Sequence, residues 1–288
     1  MTRALPVLSV LGILFVIWYV AAVWLNAPWV YDQAERAGTR VTLAELIPQT
    51  MAQDRPVLAA PHQIVAELWK GVAGQAITSK RSLVYHGFVT LQATMYGFVL
   101  GIVLGAALAI AIVQSRVMDM SVMPWAIISQ TIPIVALAPM IVVLTSQLGI
   151  QDRMVPKAII SAYLSFFPVL VGMIKGLRSP DQMQLDQIAT WNASGAQVFV
   201  KLRLPASMPY FFASLKIAVA ASLVGAIVGE LPTGAVEGLG ARMLIGSQFG
   251  QPLITWAALF AAAILAGLLI LAVGQVERAA RRRMGVQE

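Results

Sequence analysis

From Ser82 to Ser115 the chain carries no Asp, Glu, Lys or Arg, and from Met120 to Gln151 it again carries none. About 20 mostly apolar residues suffice for a helix to cross a bilayer. A soluble chain of 288 residues has too little interior to hide several such runs. The overall balance agrees, with 59% hydrophobic and only 11% charged residues, where soluble domains carry about a quarter charged. The expected fold class is therefore all-α: a polytopic membrane helical bundle of about six transmembrane helices. The chain contains no Cys and only two His, at 62 and 86, which leaves neither a disulfide framework nor a His-rich metal site. No cofactor is expected. The net charge of +7 reads as Lys and Arg held on the cytoplasmic side, facing anionic lipid. No basic stretch is interleaved with stacking aromatics, which argues against a nucleic-acid partner.

The first span runs from Leu5 to Leu25, behind Arg3, and ends in Trp24, Asn26, Pro28 and Trp29, residues suited to an interfacial belt. It exceeds the apolar core of a signal peptide and is expected to be an uncleaved anchor. Pro61 to Trp69 reads as a short amphipathic helix at the interface. The second span lies within Tyr85–Val113, where Gly97, Gly101 and Gly105 recur on one helical face and permit close approach of another helix. Pro124, Pro133 and Pro139 interrupt Met120–Gln151 and leave two readings open, a kinked span or a broken helix lining protein or a water-filled cavity. Ala158–Ile174, Tyr210–Leu231 and Leu253–Val273 complete the set. Residues 1–81 form an anchor plus an extracytoplasmic segment, 82–275 the transmembrane core, and 276–288 a basic cytoplasmic tail.

Lys and Arg in short loops set orientation. Arg116, Lys175, Arg178, Lys201, Arg203 and the cluster Arg278 to Arg283 lie on one side; Arg153, Lys157 and Arg242 lie in the short loops of the other. Both termini are thus expected in the cytoplasm of a multi-pass inner-membrane protein. The cations of 26–81, with Lys80 and Arg81 close to a span, weaken this vote without reversing it.

Residues 175–209 form a long polar segment between two spans on the inner side. Ser179-Pro180-Asp181-Gln182 reads as a capping box with Pro at the first helical position. Leu185, Ile188 and Ala189 share a face, with Trp191 beside them. Asn192 tolerates the left-handed conformation that ends helices. Ser194-Gly195-Ala196-Gln197 offers a second box, Val198, Phe199 and Leu202 a second stripe, and Leu204-Pro205 a stop. Two short helices joined by a turn at Asn192-Ala193-Ser194, with apolar side chains facing the cytoplasm, suit a groove on a partner.

This loop resembles the EAA loop of permease subunits in binding-protein-dependent ATP-binding cassette importers. Leu204 and Pro205 take the closing Leu-Pro, Leu202 the Ile/Leu position, Asn192 the Gly position and Asp186 the Glu position, while Gln187 and Ile188 replace two alanines. Val228-Gly229-Glu230-Leu231-Pro232-Thr233-Gly234 before Gly238-Leu239-Gly240 resembles the nitrate/sulfonate/taurine-type branch. The resemblance implies a coupling loop made by Asp186, Gln187, Ala189, Asn192, Ala193, Ser194, Gly195, Leu204 and Pro205. It also implies a second permease copy, two ATPase subunits and an extracytoplasmic solute-binding protein. No G-x-x-x-x-G-K-[ST] phosphate loop occurs, so hydrolysis falls to another chain. The solute is expected to be small: vitamin-like, pyrimidine-like, or a nitrate-, sulfonate- or taurine-type anion.

Translocation-pathway candidates are Glu230, Pro133 and Pro139. Glu230 reads either as a pathway group or as an interfacial acid in water. Lys216 reads as a snorkelling cation or as one with a pore or partner role, His86 as a wet interfacial side chain, and Asp186 as an ATPase contact, a helix cap or a solvated charge. An ion-gradient-driven transporter is the alternative, but it calls for midplane charges and repeated halves. An embedded enzyme calls for an acid, base or metal constellation that is not evident. Because the chain lacks Cys, a Cys placed at position 187 reports sidedness directly. It is expected to resist impermeant reagents added from outside and to react once the membrane is opened.

Overall fold

The computed structural model describes residues 4–232 and 236–283. Arg3, Thr233 and Gly234, named above, lie outside them. Of the described residues 82% are helical, and the chain divides into two compact units. One comprises residues up to Gly87 with Ala241–Ala262; the other comprises Phe88–Gly240 with residues from Ala263 on.

In the first unit α1 covers Ala4–Ala37, α2 Leu43–Met51 and α3 Pro61–Val72. The anchor was expected to end near Leu25, yet α1 runs on through Pro28. The reason is tertiary. Asn26 is buried, its amide donates to Leu58 O at 2.9 Å, and its side-chain oxygen accepts from the N–H groups of Val57 and Leu58. Ala27 and Val30 pack on Leu46 of α2. Helix α2 went unforeseen although Thr42-Leu-Ala-Glu45 is a capping sequence. The Glu45 carboxylate accepts from both the N–H and the hydroxyl of Thr42 at 3.0 Å, which holds its pKa below the ordinary carboxylate value. Helix α3 matches the expected amphipathic segment. His86, expected in water, is buried, its Nε2 at 2.9 Å from Lys80 O.

In the second unit most of α4 (Leu83–Gln114) is followed by α5 (Arg116–Ser129), α6 (Ile134–Gln147) and α7 (Met154–Leu177). The expected glycine face is where α4 meets α7. A Cβ on Gly97 would lie 2.2 Å from Ser161 Cβ, one on Gly101 2.1 Å from Ser165 Oγ, and one on Gly105 2.5 Å from Phe166 O. Backbones approach this closely only through small residues, the usual basis of helix association in lipid. Contacts advance together along both helices, from Gly97 with Ser161 to Gly105 with Val169, so α4 and α7 run parallel.

That register decides how the proline-rich segment crosses. Helices α5 and α6 are bent by 101° at a break of at most four residues, with Pro133 capping α6 in extended conformation and Pro124 and Pro139 inside the helices. A re-entrant loop would return the chain to the side where α4 ended and force α7 antiparallel to α4. The parallel register requires α5 and α6 together to make one crossing, giving six spans with α1, α4, α7, α10 and α12.

Helix α8 covers Gln182–Thr190, α9 Gly195–Val198 and α10 Leu204–Glu230. Helix α10 packs antiparallel to α7, again through small residues: Gly176 meets Ser207, Gly172 meets Ser214 and Gly225 meets Ser161. Phe98, Ile112, Val169, Leu170, Leu177 and Val219 fill the core between α4, α7 and α10. Helix α11 covers Leu239–Gln248 and α12 Pro252–Arg283. The expected tail from residue 276 is therefore helical as far as Arg283. Lys216, left between snorkelling and partnering, is paired to Glu277 of α12 at 2.6 Å.

Gly105→Ala puts a methyl against a backbone carbonyl that has no room to yield. It is expected to lower stability in detergent by about 1–3 kcal/mol. Gly267→Ala, with nothing near its Cβ, is expected to leave the unfolding midpoint unchanged or slightly raised. Thermal unfolding followed by intrinsic fluorescence checks both.

Candidate functional site

The antiparallel pair α7 and α10 presents residues 178–203 at one end. Helix α8 is capped by Asp181, not by Ser179. The Asp181 carboxylate accepts from the Gln184 N–H at 2.8 Å, and Gln184 Oε1 accepts from the Asp181 N–H. Ser179 is spent one turn earlier, its hydroxyl donating to Gly176 O at 2.7 Å, because α7 ends two residues before it and leaves that carbonyl without an intrahelical partner four residues on. The second box is as read: Ser194 Oγ accepts from the Gln197 N–H, and Gln197 Oε1 accepts from the Ser194 N–H at 2.8 Å.

Between the two caps Asn192 has φ +53°, the one positive φ at a residue other than Gly among the described residues. A short polar side chain tolerates this region and a β-branched one does not. The turn reverses the chain within Trp191–Ala193. Asp186, Gln187, Ala189, Asn192, Ser194 and Gly195 are exposed, and Ala193 is half-buried. Asp186 accepts from Gln182 Nε2 at 2.8 Å, a local helix contact. Met183 and Trp191, exposed by 77% and 71%, give the hairpin an apolar tip.

Leu204-Pro205 does not stop the helix as expected. The turn Phe199–Arg203 widens so that the Leu204 N–H bonds five residues back to Phe199 O. A π-type turn of this kind absorbs Pro205, whose ring would clash with the carbonyl four residues earlier in a regular α-helix. The hairpin is thus continuous with α10. Arg178 beside it pairs with Asp119 of α5 at 2.8 Å.

At the opposite end of the same helix pair lies a buried charge cluster. Glu230 is fully buried, which removes its reading as an interfacial acid in water. Its carboxylate accepts from the Thr90 hydroxyl at 2.9 Å and from the Gly240 N–H at 2.7 Å. Lys157 Nζ lies 3.7 Å away and also donates to Glu237 O at 3.2 Å. The Leu239 N–H donates to Thr90 Oγ1 at 2.8 Å. Lys157, counted above as an outer-loop cation, is itself buried. The pair therefore pins residues 237–240 onto the ends of α4, α7 and α10. Gly238, at φ +122°, has no room for a side chain: its Cβ would fall 2.2 Å from the Glu230 carboxyl carbon.

Pro133 and Pro139 are exposed on the α5–α6 arm. Leu137, Pro139, Met140, Ile141 and Leu144 line a shallow apolar groove of about 640 Å³ on α6. Lys157 and Thr90 were missed as partners of Glu230. The available signal was Lys157 opening one span and Glu230 closing the next, since antiparallel neighbours bring those two ends together.

Residues 97–286 match the family described as the binding-protein-dependent transport system inner membrane component. The chain belongs to this family of importer permeases. Over 199 residues it is 35% identical to a probable ABC transporter permease protein of Haemophilus influenzae, covering 69% of this chain and 78% of that one. Over 200 residues it is 34% identical to the formylaminopyrimidine transport permease ThiX of Halalkalibacterium halodurans, covering 68% and 74%. A solved structure of the MetNI methionine ABC transporter in inward-facing conformation aligns with TM-score 0.51 and 17% identity, over 76% of this chain and 96% of that one, and so shares the fold. The protein is a multi-pass permease subunit of an ATP-driven importer that passes a small solute, and hydrolysis resides on a separate subunit. The ion-gradient alternative finds no support among the relatives.

Removing one partner of a buried ion pair costs about 3–5 kcal/mol, whereas replacing both is far milder. Lys157→Met is expected to lower the unfolding midpoint steeply. Adding Glu230→Gln is expected to recover much of the loss, because Gln keeps an acceptor for Thr90 and Gly240. Midpoints of the two single variants and the double variant check this.

Proposed function

We propose that this permease pairs with a second copy of itself, carries two ATPase subunits on its 178–203 hairpins, and receives an organic, pyrimidine-like solute from an extracytoplasmic binding protein. Both termini and the hairpin face the cytoplasm; six crossings and the Lys/Arg asymmetry support that orientation. The burial of Lys157 sharpens the asymmetry by removing one cation from the outer count. The 34% identity to a formylaminopyrimidine permease supports the solute class.

The observation that carries the coupling role is the left-handed turn at Asn192, held between two capped helices with Met183 and Trp191 exposed at its tip. An apolar tip of fixed shape suits a groove on the ATPase. Asp186, Gln187, Ala189, Ala193, Ser194 and Gly195 flank the contact, and Leu204 and Pro205 tie the hairpin to α10. Closure of the ATPases displaces the hairpin, and α7 and α10 transmit the displacement as one body because backbone-close contacts lock them. A helix of the length of α7 reaches about 36 Å, across the bilayer core. At its far end the Lys157–Glu230 pair grips residues 237–240, so that hairpin motion reaches the outer mouth. Glu230 acts from behind the pathway, while Pro133 and Pro139 shape the exposed α5–α6 arm that lines it.

Asn192→Gly is expected to keep ATPase binding and transport, since Gly enters the left-handed region freely. Asn192→Val strains the turn by about 1–3 kcal/mol. It is expected to reach the membrane in normal amount and to lose the ATPase on co-purification. Equal ATPase recovery and transport with the valine variant sinks the coupling assignment.

A further inference from the structure

A cavity of about 450 Å³ opens between α10 and the last turns of α12. Along α12 its wall reads Ile270, Leu271, Gly274, Glu277, Arg278 and Arg281, one helical face that passes from apolar to small to charged. Lys216 of α10 closes the far side. Glu277 is the single acid there, and both its oxygens are taken: Oε2 by Lys216 and Oε1 by Arg281, each at 2.6 Å. Three cations against one committed carboxylate leave two positive charges in excess. The Arg281 Nε–H is buried without an acceptor. Leu271, at 61% exposure, and Ile270, at 36%, continue the same face toward the middle of the span.

We propose that this cavity binds one anionic phospholipid. Its phosphate sits among Lys216, Arg278 and Arg281, its glycerol and ester region passes over Gly274, and an acyl chain lies along Leu271 and Ile270. Gly274 suits that passage because it adds no side chain to the floor of the cavity. The occupant follows from two features held in one cavity. A soluble phosphate has no use for the apolar stretch, and an acyl chain alone leaves the cationic excess unmet. Basic cavities between spans at the cytoplasmic leaflet bind acidic headgroups on the same physical grounds. The leaflet assignment rests on the orientation proposed above; the binding itself does not. Bound here, the lipid would bridge α10 and α12.

The test is native mass spectrometry of the delipidated importer titrated with phosphatidylglycerol, phosphatidylcholine or inorganic phosphate, alongside unfolding midpoints. Arg278→Gln is the variant, since Arg278 takes no part in the Glu277 pairs. The parent is expected to retain phosphatidylglycerol in preference to phosphatidylcholine and to gain thermal stability from it. Arg278→Gln is expected to lower that preference about fivefold, the loss of about 1 kcal/mol for one cation, with its midpoint in phosphatidylcholine unchanged. Inorganic phosphate is expected neither to displace the lipid nor to stabilise the protein. Equal retention of the two lipids, an unaltered preference in Arg278→Gln, or full stabilisation by phosphate alone overturns the proposal. Because the readout is lipid binding and not transport, failure here leaves the coupling role standing.

Discussion

The close approach of α7 to α4 on one side and to α10 on the other is the constraint from which the second unit follows. Lipid tails are as apolar as the helices, so burial of Leu or Val against another helix gains little over burial in lipid, and van der Waals contact at short range has to supply the attraction. Gly97, Gly101 and Gly105 face Ser161, Ser165 and Val169, while Gly172, Gly176 and Gly225 face Ser214, Ser207 and Ser161. Ser161 and Ser222 add a hydroxyl contact at 2.6 Å within this seam. The register of those contacts makes α4 parallel and α10 antiparallel to α7, and so obliges the bent α5–α6 arm to cross once. It also makes α7 and α10 one closely packed pair with the hairpin at one end and the buried acid at the other.

Those two ends are built differently because their surroundings differ. The hairpin is solvated, so its polar groups are satisfied locally: two capping boxes, a left-handed Asn and a Gln182–Asp186 contact hold its shape without any buried residue in α8. The opposite end is buried, and there every charge needs a partner. Glu230 is held by Thr90, Gly240 and Lys157 together. An acid in that position without those donors would be among the costliest groups in the protein.

What the sequence made legible were features with a local cause. Long apolar runs marked where the spans lie though not where their helices end, the four-residue glycine spacing marked the α4 face, and Asn192 between two box-forming segments marked the turn. The readings that failed had causes elsewhere in the fold. Ser179 looked like a cap, but the end of α7 at Leu177 diverts its hydroxyl to Gly176. Pro205 looked like a stop, but a widened turn carries the helix through it. Pro28 looked like the edge of an anchor, but Asn26 is fastened to residues 57 and 58, far off in sequence. His86 looked wet because it sits near a span end, as did Glu230 in one of its two readings, and only tertiary neighbours bury them. Helix α2 is the exception, for its Thr42–Glu45 signal was local and was passed over.

Coupling of solute delivery to ATP is the central claim, and reconstitution of the permease with its ATPase and binding protein in sealed proteoliposomes measures it directly. Solute accumulation and hydrolysis are followed together. Accumulation is expected only with ATP on the hairpin side, with hydrolysis rising when loaded binding protein is added on the other side, and with no effect of a protonophore. Accumulation without ATP that collapses with the protonophore would contradict the account and make the chain a carrier driven by an ion gradient.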